Sequence, residues 1–131
     1  MIDHLSTYAS DYLATRDFYR AVFAPLGVTE QIEMVAEWNA DFPTQRMCAF
    51  GPEGHFTFWV IETRSAATPR HIAFSAQNRA AVDAFHAAAL AQGGQDNGQP
   101  GLRPHYHEHY YGAFAFDPDG NNVEAVCHRP E

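Results

Sequence analysis

The chain opens twice. His4-Leu-Ser-Thr-Tyr-Ala-Ser10 and His71-Ile-Ala-Phe-Ser-Ala-Gln77 share one plan: a histidine, a run of apolar and small residues, then the start of a helix. From position 4 to position 71 the spacing is 67, about half of the 131 residues. A repeat of that length is one supersecondary unit built twice, with each copy burying its apolar face against the other. Chance likeness between two short strands that both precede helices is the competing explanation. The segments after each opening choose between them.

After the first opening, Ser10 and Asp11 are N-cap residues for a helix running to about Pro25, with Tyr12, Phe18, Tyr19, Val22, Phe23 and Leu26 along one side. Gly27 suits its exit. Residues 28–37, 45–50 and 55–62 read as strands, the last two joined by the turn Gly51-Pro-Glu-Gly54. After the second opening, Asn78 caps a helix over 79–92 whose face is Val82, Phe85, Ala89 and Leu90. Residues 95–109, rich in Gly, Pro, Asn and His, read mostly as loop. Two strands close the chain around Asp117-Pro-Asp-Gly120, where Pro118 presets φ and Gly120 can take the positive φ that turns the backbone. The outcome is one α+β domain over residues 1–131. It consists of two βαβββ modules, about 1–65 and 66–131.

Composition removes several functions. Sixteen acids against eight bases give a formal charge of -8, which argues against nucleic acid or an anionic membrane as partner. All eight bases are Arg, so no lysine is available for Schiff-base or P-loop chemistry. No apolar run is long enough to span a bilayer. No basic segment followed by an apolar run marks a secretion signal, so Cys48 and Cys127 are expected as free thiols of a reducing cytoplasm.

Alternation in the last strand puts Val123, Ala125 and Cys127 on one face and Asn122, Glu124, Val126 and His128 on the other. Glu124 is then a carboxylate inside an apolar strand, where an unpaired charge is costly. Either its face is wet or a cation compensates it. His4 and His71 hold equivalent places in the two modules. Two imidazoles and a carboxylate suit Fe(II), Mn(II), Ni(II) or Zn(II), with coordination positions left for substrate. The same residues also fit surface or satisfied core positions, because nothing in sequence spacing brings them together.

Ile2-Asp3-His4, Phe18-Tyr19, His71-Ile-Ala-Phe and above all Asp117-Pro-Asp-Gly-Asn-Asn-Val-Glu124 resemble the vicinal oxygen chelate superfamily over nearly the whole chain. That superfamily includes lactoylglutathione lyase, extradiol dioxygenases, fosfomycin-inactivating thiol transferases and bleomycin-binding proteins. The resemblance implies a curved mixed sheet around a cavity with helices outside, a homodimer, and a metal held by His4, His71 and Glu124. A fourth ligand found in some members falls, by the same spacing, on Thr57, which cannot serve; Glu62 lies too late in its strand. That departure disfavours the lyase. A metal-dependent enzyme acting on a small oxygen-bearing substrate is the first reading, and a metal-free binding protein of the bleomycin-resistance kind is the alternative. Around the site, Glu124, His105 and Arg103 are the expected catalytic groups, and Phe58, Trp59, His107, Tyr110 and Tyr111 the expected pocket. The bland counterparts are a solvated loop for residues 103–109 and a core role for the aromatics.

Overall fold

The computed structural model of the protein describes residues 2–131. Two four-stranded mixed sheets carry the fold, in the orders β1-β4-β3-β2 and β5-β8-β7-β6. The first contains β1 (Leu5–Ala9), β2 (Thr29–Val35), β3 (Arg46–Gly51) and β4 (Phe58–Glu62); the second contains β5 (His71–Ser75), β6 (Gln95–Leu102), β7 (Tyr111–Phe116) and β8 (Asn122–Cys127). In each sheet the first strand pairs in parallel with the last, and the other pairings are antiparallel. The two expected βαβββ modules are present, each with its helix between first and second strands.

Helix α1 (Tyr12–Phe23) begins where the Asp11 side chain accepts the Ala14 N–H at 3.2 Å. It ends in one 3-10 turn and Gly27 at φ 72°, a left-handed conformation that glycine takes without a Cβ clash. Helix α2 (Arg79–Ala91) is capped by Asn78, which accepts the Ala81 N–H at 2.8 Å. Both helices and the inner faces of both sheets share one core. Phe23 packs on Phe50, Phe58 and Phe74 at centroid separations of 5.2, 5.3 and 4.9 Å. Phe74 reaches Phe85 at 6.3 Å. This aromatic row crosses from one module to the other. Edge-on pairs of this kind add about 0.5–1.5 kcal/mol each beyond burial.

The turn after β7 fastens the second module to the first. Asp119 accepts the Ser10 N–H at 3.0 Å, the Ser10 hydroxyl at 2.8 Å and the Thr15 hydroxyl at 2.8 Å. Asp117 accepts the Tyr19 hydroxyl at 2.5 Å. Asn121 donates to Thr7 Oγ1 at 3.3 Å and accepts the Arg70 N–H at 2.8 Å. Burial first, then the facing Asp117 charge, pushes the Tyr19 phenol well above its ordinary range, so it remains a donor. The turn half of the most specific motif, Asp117 to Asn121, therefore joins the modules, and Glu124 stands at the motif's other end.

Three expectations of secondary structure and burial are corrected. Gln95–Leu102 is a strand, not a loop. It is a sheet edge, paired only with β7 and with register shifts around Gly98, and an edge tolerates the Pro and Gly that signalled loop. The buried face of α2 is Val82, Phe85, His86 and Ala89, while Leu90 is 40% exposed. His86, absent from the expected apolar face, is buried with Nε2 2.9 Å from Asp96 Oδ1 on β6. Cys48 and Cys127 are buried free thiols, with burial pushing that of Cys48 up to about 12.

Candidate functional site

The outer face of the second sheet holds the candidate site. In β8 the inward side chains are Val123, Ala125 and Cys127, all fully buried. Glu124 sits on the other face, paired across the sheet with Ala73 on one side and Phe114 on the other. It is only 1% exposed, and no Lys or Arg side chain bonds it. Among the described residues its partners are two. The Tyr110 hydroxyl donates to Oε1, and His71 Nε2 stands 3.2 Å from Oε2.

The His71 ring is oriented by its other nitrogen. Nδ1 lies 3.0 Å from the Asn122 carbonyl oxygen, which can only accept, so in the neutral ring the hydrogen is on Nδ1. The Nε2 lone pair then faces a carboxylate oxygen, and a proton or a cation must lie between two such donors. Two ligand atoms each about 2.1 Å from one ion stand roughly 3.0–3.4 Å apart, from octahedral to tetrahedral angles, so the observed separation can accommodate an ion as well as a direct imidazole–carboxylate contact. A ligating imidazole whose second nitrogen donates to a carbonyl is the usual outer-shell arrangement.

Tyr110 is built into this geometry. Burial, then its bond to Glu124, pushes the phenol well above its ordinary range, which keeps the donor protonated. Its approach depends on Gly112, where an added Cβ would lie 3.1 Å from Glu124 Oε1 and 3.1 Å from the Tyr110 ring. Beside Tyr110, the rings of His107 and His128 stack at 4.6 Å. His128 lies next to β8 on the Glu124 face. It was not among the expected site residues; the alternation pattern that grouped it with Glu124 was the available signal.

The other expected residues separate. Phe58 is in the core against Tyr19 and Phe23, because its parity in β4 points it at α1. Tyr111 pairs with inward-facing Cys127 and donates to Asp83 on α2 at 2.7 Å, so it lines the helix side, not the open face. Arg103 donates to the carbonyls of Gln99 and Gly101 at 2.7 and 2.8 Å, and its guanidinium lies 5.5 Å over Phe114. His105 is exposed and packs on Tyr106 at 4.3 Å.

His4 and His71 line different clefts. A cleft of about 620 Å³ runs between the edges of β1 and β5 and includes His71, Arg70, Tyr8 and Asn121. Another of about 500 Å³ holds His4 with Met47, His55, Phe56 and Trp59 on the first sheet. His4 Nδ1 is 2.7 Å from Asp3 Oδ1. Among the described residues no three His, Cys, Asp or Glu side chains converge to hold a metal ion; the chain brings His71 to Glu124 but not His4. The strand registers also correct the fourth position. Ala73 pairs with Glu124 and Ser6, the equivalent residue, pairs with Trp59. The first-module counterpart of Glu124 is therefore Trp59 and not Thr57, and it too is no ligand. Glu62 is bonded by Arg46 at 2.6 and 3.1 Å.

A family model described as Glyoxalase/Bleomycin resistance protein/Dioxygenase superfamily matches residues 1–125. Among solved structures, a glyoxalase/bleomycin resistance protein from Albidiferax ferrireducens T118 is 28% identical, with 97% of each chain covered and a TM-score of 0.74. A lactoylglutathione lyase from Agrobacterium tumefaciens is 22% identical, with 97% of this chain and 92% of that one covered and a TM-score of 0.65. A glyoxalase I mutant from Zea mays is 18% identical at a TM-score of 0.70; it covers 99% of this chain but only 45% of its own. The last two likenesses are of fold alone. No curated protein matches. No helix among the described residues is long and apolar enough to cross a membrane.

Proposed function

The chain belongs to the glyoxalase/bleomycin resistance protein/dioxygenase superfamily, and from that premise we propose that it is a metal-dependent enzyme acting on a small substrate that offers oxygen atoms to the ion. The observation that carries the reading is the facing pair His71 Nε2 and Glu124 Oε2, 3.2 Å apart, with the imidazole hydrogen already committed to the Asn122 carbonyl. A buried carboxylate opposed by a lone pair is costly unless a positive charge joins them.

His71 and Glu124 would hold a divalent ion of Fe, Mn, Ni or Zn, and His4 from a second copy of the chain would supply the third ligand. The support for a second copy is the incomplete set: the two open sheet faces carry complementary parts of one site, and they border different clefts. When bound, such an ion polarises a substrate oxygen as a Lewis acid. Tyr110 fixes Glu124 by occupying Oε1, so Oε2 is the oxygen left to the ion. Phe114, stacked beside His71 at 6.2 Å, gives the substrate an apolar wall. Glu124 remains the proposed catalytic carboxylate, and Arg103 and His105 remain proposals for the rim. We place the protein in the cytoplasm, on the strength of two buried free thiols.

The aromatic pair Phe56 and Trp59, 5.9 Å apart in the first-sheet cleft, favours the second reading, a metal-free small-molecule binder. Elemental analysis of protein purified without chelators separates the two. The enzyme reading expects a stoichiometric divalent ion that is lost in His71→Ala and Glu124→Gln. A protein that stays metal-free after reconstitution with all four ions would leave the binder.

A further inference from the structure

We infer that His128 is a ligand-contacting residue of this site, held in one tautomer by His107, and that it selects substrates bearing a hydrogen-bond acceptor, such as a carboxylate, at the end remote from the ion. The inference rests on the metal-site reading above and adds to it the class of substrate.

The tautomers follow from the hydrogen bonds. The His109 backbone N–H donates to His107 Nδ1 at 3.3 Å. That nitrogen is therefore the acceptor of the neutral ring, and Nε2 carries the hydrogen. His107 Nε2 is in hydrogen-bond contact with His128 Nδ1, so His128 accepts there and carries its own hydrogen on Nε2. His128 is exposed, and among the described residues its Nε2–H has no protein partner. A fixed donor on the open face of the sheet is thus left for something other than the protein.

Tyr110 ties that donor to Glu124. Its ring meets His107 edge-on at 5.3 Å and His128 at 5.2 Å, while its hydroxyl bonds the carboxylate. One aromatic wall therefore runs from the ion-binding pair to the histidine pair. Four residues separate Glu124 from His128, about 13 Å along an extended strand. A ligand whose head lies at Glu124 reaches His128 only if it is elongated. The Arg103 guanidinium lies 5.5 Å above Phe114, the cross-strand partner of Glu124, so it favours an anionic group at the ion end, and the acceptor at the tail is selected by the His128 N–H itself. The nearby acid Glu108 is 87% exposed and faces His109 at 3.8 Å.

The test is ligand binding to zinc-loaded protein, with pyruvate as the head alone and 2-oxo dicarboxylates of increasing length as probes. Affinity relative to pyruvate should rise by about tenfold once the chain spans the wall, as expected for one hydrogen bond to a carboxylate. The rise should vanish in His128→Ala and return in part in His128→Gln, which keeps an N–H. A rise that survives His128→Ala, or wild-type protein that binds pyruvate with no dependence on length, overturns the inference and leaves the metal site standing. Zinc-loaded protein that binds neither pyruvate nor any dicarboxylate overturns the inference, and protein that takes up no zinc overturns the metal site beneath it. Independently of ligand, nitrogen NMR should find hydrogen on Nε2 of both His107 and His128; hydrogen on Nδ1 of His128 contradicts the assignment.

Discussion

Replacing Asp119 by Ala tests whether the turn motif is a fastener. Three hydrogen bonds end on this carboxylate, from the Ser10 N–H, the Ser10 hydroxyl and the Thr15 hydroxyl. Ser10 is exposed, so its donors return to water and each loss costs about 0.5–1.5 kcal/mol. Thr15 is fully buried, and stranding its hydroxyl costs about 1–3 kcal/mol, less whatever it recovers from the carbonyl one turn earlier in α1. Before any such recovery the sum is about 2–6 kcal/mol, which for a domain of this size lowers Tm by roughly 10 °C or more. Urea unfolding followed by circular dichroism should show the loss as a lower midpoint with an unchanged slope. Asp119→Asn, which keeps one carbonyl oxygen, should lose less. A loss below about 0.5 kcal/mol, the range of ordinary surface substitutions, would refute the fastener.

Phe23→Ala removes the ring on which Phe50, Phe58 and Phe74 converge and should cost about 3–5 kcal/mol by chemical denaturation. Gly112→Ala should push Tyr110 and Glu124 apart, since its Cβ meets both at 3.1 Å; weaker zinc binding in competition with a chelator is the expected result, at little cost in Tm. Hydrogen bonds from Arg46 hold Glu62 below its usual value of 4.5. That pair therefore stabilises the fold above the ordinary carboxylate range, and its contribution is lost as pH falls through the depressed value. The stability gap between wild type and Glu62→Gln should be present at neutral pH, no larger than about 1 kcal/mol at this exposure, and should close below pH 4.5.

Much of this fold was legible because local signals and burial agree. The duplicated opening, both caps at Asp11 and Asn78, and the face alternation of β8 each follow from period and side-chain chemistry, and each recurs in the structure. What escaped depends on neighbours that a sequence does not display. β6 is a strand because β7 offers it a partner, despite its Gly and Pro. His86 is buried because Asp96 comes to meet it from β6. Phe58 and Tyr111 were read as pocket because aromatics serve core and pocket alike, and only cross-strand register separates the faces. At the site, the meeting of His71 with Glu124 follows from the parallel pairing of β5 with β8. The role of Tyr110 needed Gly112, whose missing side chain carries no signal of its own.

The central claim is one ion held by Glu124 and His71 of one copy and His4 of another. It is tested most directly by co-expressing His4→Ala and Glu124→Gln chains under different tags and measuring zinc in the doubly purified species. Neither variant alone should bind stoichiometric zinc. The mixed dimer should recover one of its two sites and hold half the wild-type content. Mixed protein as empty as its parents, or His4→Ala protein that binds zinc like wild type, would contradict it.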